Sequence, residues 1–473
     1  MTGKTISQAL GAFVSEFPAD RLSEAVIEDA RWRFVDMLGV CLAGSRQDSA
    51  GAIWSVATAI GGRPEATAIG LRKKMPASLA GWVNGAIGHS CDYDDTNGIA
   101  GVHISTIAVP AAMAMAERER ASGRECAAAM VLGAEIALRI CSGAPPHQFH
   151  ERGFHGTGIA GPFAGAAIGS RLLGLNAVAT ANAIGLAGSQ TAGLLQGLID
   201  GTWVKRLHPG WGIQAGITCA LLAQQGFTGP PEVLEGKLGF FKAFLFGDEA
   251  KLHLDAITAD LGEIWLLPQT TYKPYPNGAW NHSSMDAAAV IIQRERLRPT
   301  DIERIECYLP PLAIPFVCEP REVKVHPRSP YHMKFSLPYS VAMLVARGAV
   351  GADDYNERVL ADPSVAAMAE RVHCLPDPNM RPELFPARVT ISTKDGRNFE
   401  QDMPAQRGGP RNPMKPSEFR AKFRANVQPS LGAGRGERLL REAEGIWDAP
   451  DVKRLMRLAS NAGAGRAAAG VTD

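Results

Sequence analysis

The feature that most constrains this chain is a long run without charge: from Leu172 to Ile199 no acidic or basic side chain occurs. Such a stretch must be withdrawn from water, across a bilayer or inside a protein core. The run holds Asn176, Asn182, Ser189, Gln190 and Gln196 together with several glycines, which predicts buried helices in a large helical core instead of a membrane span. Its surroundings agree. Ala, Met and Leu dominate 105–140 and 160–225, and strand-like alternation of β-branched residues is rare. Pro18-Ala19-Asp20 opens a segment in which Ala25, Val26, Ala30, Phe34, Val35, Leu38 and Val40 recur at helical spacing. Gly153, Gly201 and the Gly226 to Gly229 turn mark breaks. Residues 1 to about 265 thus read as helix after helix.

The character changes near 265. Ile302 to Leu309 mixes apolar and polar residues as a strand does, and 388–393, the turn Lys394-Asp395-Gly396 and 398–403 read as a β-hairpin. Residues 337–347 read as a helix packed on such strands. A Gly/Pro/Arg-rich linker at 408–413 leads back to amphipathic helical patterns from Pro416 to about Leu458. The fold class is therefore mainly α, with an α+β insertion between two helical parts. A cleft between such parts is the default place for a small ligand.

Charge excludes several partners. Lys plus Arg is 49 against 48 for Asp plus Glu, with no basic or acidic tail, so no nucleic-acid footprint is present. A ligand must be recognised by local charges inside a pocket. The eight cysteines are scattered without a C-x-x-C pair, which predicts free thiols. The first residues carry Lys4, Glu16 and Asp20 without an apolar signal core, and the expected location is the cytoplasm, with no membrane partner.

Residues 156–161, Gly-Thr-Gly-Ile-Ala-Gly, match the dinucleotide fingerprint, but no buried strand precedes them and no acid occurs between Glu151 and Asp200 to bind a ribose. Tight helix packing explains these glycines better. No phosphate-binding loop and no nucleophile elbow occurs.

The chemistry gathers in 89–103, where His89 and His103 bracket Asp92, Asp94 and Asp95. If 84–96 is helical, His89, Asp92 and Thr96 share one face, while Asp94 points away. On that reading Asp94 and Asp95 are structural, at a solvated helix end. A metal site has weak support, since no second His/Glu pair at i,i+3 or i,i+4 accompanies the cluster. His155 stands between Gly153 and Gly156 at a helix start, where a ligand could also meet backbone N–H groups. Lys205, Arg206 and His208 emerge from the charge-free run, and cations in such a neighbourhood need anionic partners, which substrate carboxylates would supply. Lys273-Pro-Tyr-Pro leads to His282 along a path stiffened by prolines. Tyr339 brings a phenol from the insertion. One shared cleft rich in His, Lys and Asp suits proton transfer beside a carboxylate: cations hold the acid groups, one residue takes the α-proton and another returns one.

These clusters, in this order, resemble the MmgE/PrpD family, which includes 2-methylcitrate dehydratase, cis-aconitate decarboxylase and iminodisuccinate epimerase. The likeness runs from about residue 5 to about 460. It covers N-G-x-x-x-H-x-x-D-Y-D-D-T from Asn84 to Thr96, the following His103, F-H-G-T at 154–157, H-P-G-W-x-x-Q-A-G from His208 to Gly216, G-F-T-G-P at 226–230 and K-P-Y-P with His282. The resemblance implies a helical domain formed by 1–269 and 407–462, an α+β lid at 270–406, a disordered tail at 463–473 and a homodimer. It implies a cofactor-independent lyase on a di- or tricarboxylic acid, by dehydration or decarboxylation, with no metal. Asp92, His103, Lys205 and His282 become the catalytic candidates. Thr96, His155, His208, Lys273 and Tyr339 become substrate-binding candidates. An isomerase using the same proton step is the alternative, and a non-catalytic carboxylate binder a remote one. The chain departs from the family pattern in the loop before His103, at Ile104, and at Asn277, Gly278, Trp280 and Asn281, so the pocket wall is altered near the chemistry.

Overall fold

The computed structural model describes residues 3–146 and 148–460; the expected tail at 463–473 lies outside them. Long helices open the chain: Ile6–Glu16, Glu24–Gly44, Ala77–His89, Ser105–Glu119, Gly123–Ser142, Gly156–Leu172, Ala177–Gly188 and His208–Gln224. Their starts are chemically marked. The side chains of Ser23, Ser122 and Asn176 each accept a backbone N–H from the first turn, satisfying donors that a helix start leaves open. Their breaks are marked too, because Gly153, Gly201 and Gly226 all adopt positive φ.

The segment 156–161 opens the helix Gly156–Leu172. A Cβ added at Gly161 would lie 2.8 Å from the Cα of Gly212, so this helix and His208–Gln224 cross with their backbones almost touching. Close packing is what these glycines supply. After residue 415 the helices Pro416–Leu431, Ala433–Glu444 and Lys453–Ser460 return to the same hydrophobic core, which joins Leu10 and Phe34 near one end of the chain to Phe423 and Leu455 near the other.

A short antiparallel ribbon, β1 (Ala66–Thr67) with β2 (Lys74–Met75), lies on this helical body. The second core contains a four-stranded mixed sheet, β3 (Ile302–Leu309), β4 (Val372–Pro376), β5 (Ala387–Thr393) and β6 (Asn398–Met403), in the order β4-β3-β5-β6. β3 pairs parallel to β4 and antiparallel to β5. The hairpin β5–β6 has the predicted strands and turn, with Ser392 opposite Asn398 and Gly396 at positive φ. Inward side chains alternate along β5, and Met285, Ile291, Leu337 and Val341, on the helices Ala279–Glu295 and Leu337–Arg347, belong to the same core. The class is mainly α with a small α+β part.

Two local expectations fail. The helix predicted across 84–96 stops at His89, because Asp92 turns the chain in the left-handed region at φ 51°, which Asp tolerates better than most residues. The charge-free run is only partly buried. Ala183, Ile184 and Ala187 are core residues, yet Val178 is 72% exposed and Ile199 is 74% exposed. The helix Ala177–Gly188 packs on Ile6–Glu16, His208–Gln224 and Gly156–Leu172 and leaves Val178 to solvent. Among the described residues no helix is long and apolar enough to cross a membrane.

Candidate active site

The turn after His89 is pinned by its carbonyl groups. The Lys334 ammonium donates to Cys91 O at 3.0 Å, Lys273 to Asp92 O at 3.0 Å and Lys422 to Tyr93 O at 2.9 Å. Two residues on, Asp95 O accepts Nδ1–H of His103 at 2.6 Å, and Thr96 O accepts the backbone N–H of Thr271. Three lysines from distant parts of the chain and the nearby His103 imidazole thus hold one irregular segment in place. Such a left-handed turn persists only when its surroundings determine it, and it aims Asp92 into the molecule.

The carboxylate of Asp92 is buried between two ammonium groups, Lys205 at 2.6 Å from Oδ1 and Lys273 at 2.8 Å from Oδ2. Burial alone would raise its pKa, but Lys205 and Lys273 outweigh that and hold it well below the usual carboxylate range. Two cations share one anion, so one positive charge is left over. Burial, joined by repulsion from Lys273, accordingly lowers the pKa of Lys205 despite Asp92.

Lys205 also touches Nε2 of His89 at 2.9 Å, and His89 Nδ1 lies 2.8 Å from Oδ2 of Asp94. Both partners are fully buried. Burial raises the pKa of Asp94 and, joined by Lys205, lowers that of His89 well below its ordinary value, so the His89 ring is neutral and carries a single proton. With that proton between Asp94 and Nδ1, the Nε2 lone pair of His89 accepts from Lys205.

His103 is the open base of the group. Its Nδ1 must donate, because a backbone carbonyl can only accept, and Thr96 Oγ1 lies 3.1 Å from the same nitrogen. Burial first, and then the nearby Lys205, keep the ring neutral well below its ordinary pKa. The Nε2 lone pair is therefore free on a ring that lines the cavity. His155 caps the helix Gly156–Leu172, with Nδ1 3.0 Å from Nδ1 of His208 and its buried Nε2 without a hydrogen-bond partner among the described residues.

A cavity of about 520 Å³ opens over these groups. Asp92, Thr96, His103, His155, Lys205 and Lys273 line its inner end, as the sequence grouped them. The remaining three candidates lie elsewhere. His208 supports His155 from behind. His282 is buried in the first turn of Ala279–Glu295, where Nε2 donates to Asn277 O at 3.2 Å and Nδ1 faces the Gln406 side-chain amide at 3.3 Å. The proline-stiffened loop delivers Lys273, Gly278 and Trp280 to the cavity instead. Tyr339 belongs to the smaller core, its hydroxyl bonded to the carbonyls of Val359 and Leu360. Arg206, expected to await a substrate acid, already pairs with Asp48 at 2.6 Å.

Two residues near the chemistry escaped the sequence reading. Asp94 was misplaced by continuing the helix, which turned it outward; it is buried, as is Asp95, which pairs with Arg33. His150 lines the cavity and carried no signal beyond being a histidine near His155.

Ring nitrogens of His89, His103 and His155 lie within 4.8 Å of one another, a spacing a transition metal could use. The Lys205 ammonium on Nε2 of His89 opposes it, since a cation there would face a positive charge at hydrogen-bond distance. The donor set suits an anion better.

The family model described as the MmgE/PrpD N-terminal domain matches residues 8–253, and that of the MmgE/PrpD C-terminal domain matches residues 275–448. Cis-aconitate decarboxylase of Homo sapiens is 26% identical, over 96% of this chain and 94% of its own length. The Mus musculus protein of that name is likewise 26% identical, over 96% of this chain and 93% of its own. Cis-aconitate decarboxylase-like protein oryM of Aspergillus oryzae is 25% identical, over 94% of both chains.

Proposed function

The chain belongs to the MmgE/PrpD family, and on that premise we propose that it is a lyase acting on a small polycarboxylic acid through an enediolate-like state at the inner end of the cavity. One observation carries the reading: a neutral His103 presents a free Nε2 lone pair beside the partly uncompensated Lys205 ammonium. A neutral base and a cation lining one cavity are what a carbon acid next to a carboxylate requires.

In a dehydration, His103 Nε2 takes the α-proton, and the C–H electron pair enters the adjacent carboxylate to form an enediolate held by Lys205 and His155. The pair then returns to the carbon skeleton and expels the β-hydroxyl, which leaves as water with a proton. In a decarboxylation, the C–C bond to one carboxylate breaks and CO2 departs. Its electron pair enters the conjugated acid, is held by the same cation, and the carbon is finally protonated. The names of the relatives favour the second sequence. Asp92 is the fixed anion that keeps both lysines in place; with both oxygens engaged and its pKa depressed, it is a poor base. All these parts are side chains, so the scheme runs without a cofactor.

A second copy of the chain fits the exposed apolar side chains of the charge-free region and the following helix, among them Val178, Trp211 and Phe227. A homodimer that covers such exposed apolar side chains is part of the proposal.

The test is proton NMR in D2O with citrate, 2-methylcitrate, cis-aconitate and amino-dicarboxylates. Loss of water or CO2, with deuterium entering at carbon, supports the lyase. Deuterium exchange without net product assigns an isomerase instead, and no exchange with any acid, on folded protein, removes the reading.

A further inference from the structure

Between the β1–β2 ribbon and the helix Lys453–Ser460 lies another cavity, of about 530 Å³, which shares no lining residue with the one over Asp92. We propose that it binds an oligophosphate chain on cations that the ribbon and the helix present to each other. Six cations line it: Arg72, Lys73 and Lys74 from the ribbon and its turn, and Lys453, Arg454 and Arg457 from the helix. Three of them are answered. Lys74 pairs with Glu117 at 2.6 Å, Lys453 with Asp451 at 3.4 Å and Arg454 with Glu442 at 2.9 Å. Arg72, Lys73 and Arg457 are exposed, and their side chains have no ion-pair or hydrogen-bond partner among the described residues. Three uncompensated charges thus meet in a chain whose net charge is only +1. Neighbouring Arg435 senses them: burial lowers its pKa, and repulsion from Arg438 and Arg72 lowers it further. A concave surface of one sign focuses its field on a counter-ion.

The walls are fixed before anything binds. Buried Glu117 accepts the backbone N–H of Thr67 at 2.6 Å and its hydroxyl at 2.9 Å, which pins the ribbon. The turn of the ribbon bends at Gly70, with φ 76°. Arg435 donates to Leu458 O at 2.8 Å and to Arg457 O at 2.6 Å, which pins the helix end. Gly70 N–H reaches Ala459 O at 3.5 Å and ties one wall to the other. A site assembled in advance loses less free energy to ordering when its ligand arrives.

The lining also decides which anion fits. It contains no aromatic and no aliphatic side chain. A polycarboxylate would leave its carbon skeleton against charge and water, and a nucleoside base would find nothing to stack on. A phosphate chain has no carbon, stays ionised at neutral pH and offers oxygens to guanidinium forks along its length. The triphosphate end of a nucleotide carries the same chemistry with its base left in solvent.

The test is isothermal titration of the full chain with sodium tripolyphosphate, in parallel with ATP, inorganic phosphate and citrate. Tripolyphosphate should bind one per chain, about tenfold or more tighter than phosphate or citrate, and more weakly as salt rises. ATP should bind as tightly as tripolyphosphate; ATP binding much more tightly would mean that a base is read and would overturn the assignment. Arg72→Ala, Lys73→Ala and Arg457→Ala should each weaken binding about fivefold, the upper end for an exposed ion pair. The triple variant should lose it, with circular dichroism and melting temperature unchanged because all three side chains are exposed. Lys205→Ala, which removes the spare cation of the cavity over Asp92, should leave tripolyphosphate binding intact. Binding lost in Lys205→Ala and kept in the triple variant places the anion in the catalytic cavity and overturns the proposal. So does citrate bound as tightly as tripolyphosphate, or no binding at low salt. Single-stranded RNA or phosphatidylserine vesicles held by these three cations, with tripolyphosphate unbound, would overturn it in favour of a larger anionic partner.

Discussion

Replacing Asp92 by asparagine removes the one anion between two buried ammonium groups while keeping the shape of the side chain. In the native site Lys205 and Lys273 lie 2.6 and 2.8 Å from its two oxygens, and all three side chains are nearly inaccessible, at 6%, 0% and 1% exposure for Lys205, Lys273 and Asp92. At an effective dielectric of 20, each pair has a gross attraction of about 6 kcal/mol, largely offset by desolvation. Breaking a buried pair from one side typically costs about 3–5 kcal/mol. The structure also sets a ceiling. The introduced amide can accept from one lysine but presents N–H to the other, which can escape by releasing its proton. At pH 7 that release costs at most about 4.6 kcal/mol, from an unfolded lysine pKa of ~10.4 at 1.36 kcal/mol per unit. With ~2.1 cal/mol/K per residue over 473 residues, 1 kcal/mol corresponds to about 1 °C if the whole chain melts together. The expected melting temperature of Asp92→Asn at pH 7 is therefore about 3–5 °C below wild type.

The sign of the pH dependence is fixed. A lysine whose folded pKa is depressed binds fewer protons folded than unfolded, so stability rises with pH, and the deficit of the variant shrinks between pH 7 and 9. In wild type the depressed Asp92 contributes stability that is present above ~pH 4 and lost as pH falls through its lower folded value. Differential scanning fluorimetry at pH 6, 7, 8 and 9 on both proteins reads this directly. A deficit under 1 °C that stays constant across the series would refute the placement of two charged lysines on one carboxylate.

The other predictions concern the reaction. His103→Gln keeps an N–H-bearing side chain but removes the base, and kcat should fall by about 10²–10⁴, with KM changed far less; a loss below tenfold would move the proton transfer to another group. Since burial and Lys205 hold the His103 pKa well below its ordinary value, the acidic limb of the kcat/KM profile should lie below pH 6.5, and a limb at or above 7 would contradict a neutral ring. Asp94→Asn leaves His89 without its carboxylate, which should disturb the Lys205 contact and shift the alkaline limb in pH; an unshifted profile with normal kcat would make the pair purely structural. Tyr339→Phe loses hydrogen bonds only within the smaller core and should cost about 1–3 kcal/mol in stability with kcat/KM within twofold. Activity should persist after exhaustive treatment with a chelator, whereas loss restored by one divalent metal would favour His89, His103 and His155 as its ligands.

Much of the fold was legible because its causes are local. Capping side chains, glycines at positive φ and the alternation along β5 and β6 act within a few residues. The same holds for the strand Ile302–Leu309 and the helix Leu337–Arg347. Membership of the inner site was legible in part, because Asp92, Thr96, His103, His155, Lys205 and Lys273 lie in compact motifs with few other tasks for such residues. The errors share one origin. Reading 84–96 as continuous helix put Asp94 in solvent, yet a single left-handed residue, held by lysines more than 150 positions downstream, reverses the chain and buries it against His89. His282 and Tyr339 are histidine and phenol side chains whose partners, Gln406 and the carbonyls of Val359 and Leu360, decide that they face packed interior. The sequence by itself determined the helical class, the inserted sheet and the residue types of an acid-handling site. Only the tertiary structure decided which nitrogen is free and which carboxylate is spent on holding lysines. Protonation, burial and cavity shape are set by groups far apart in the chain, and no local pattern records them.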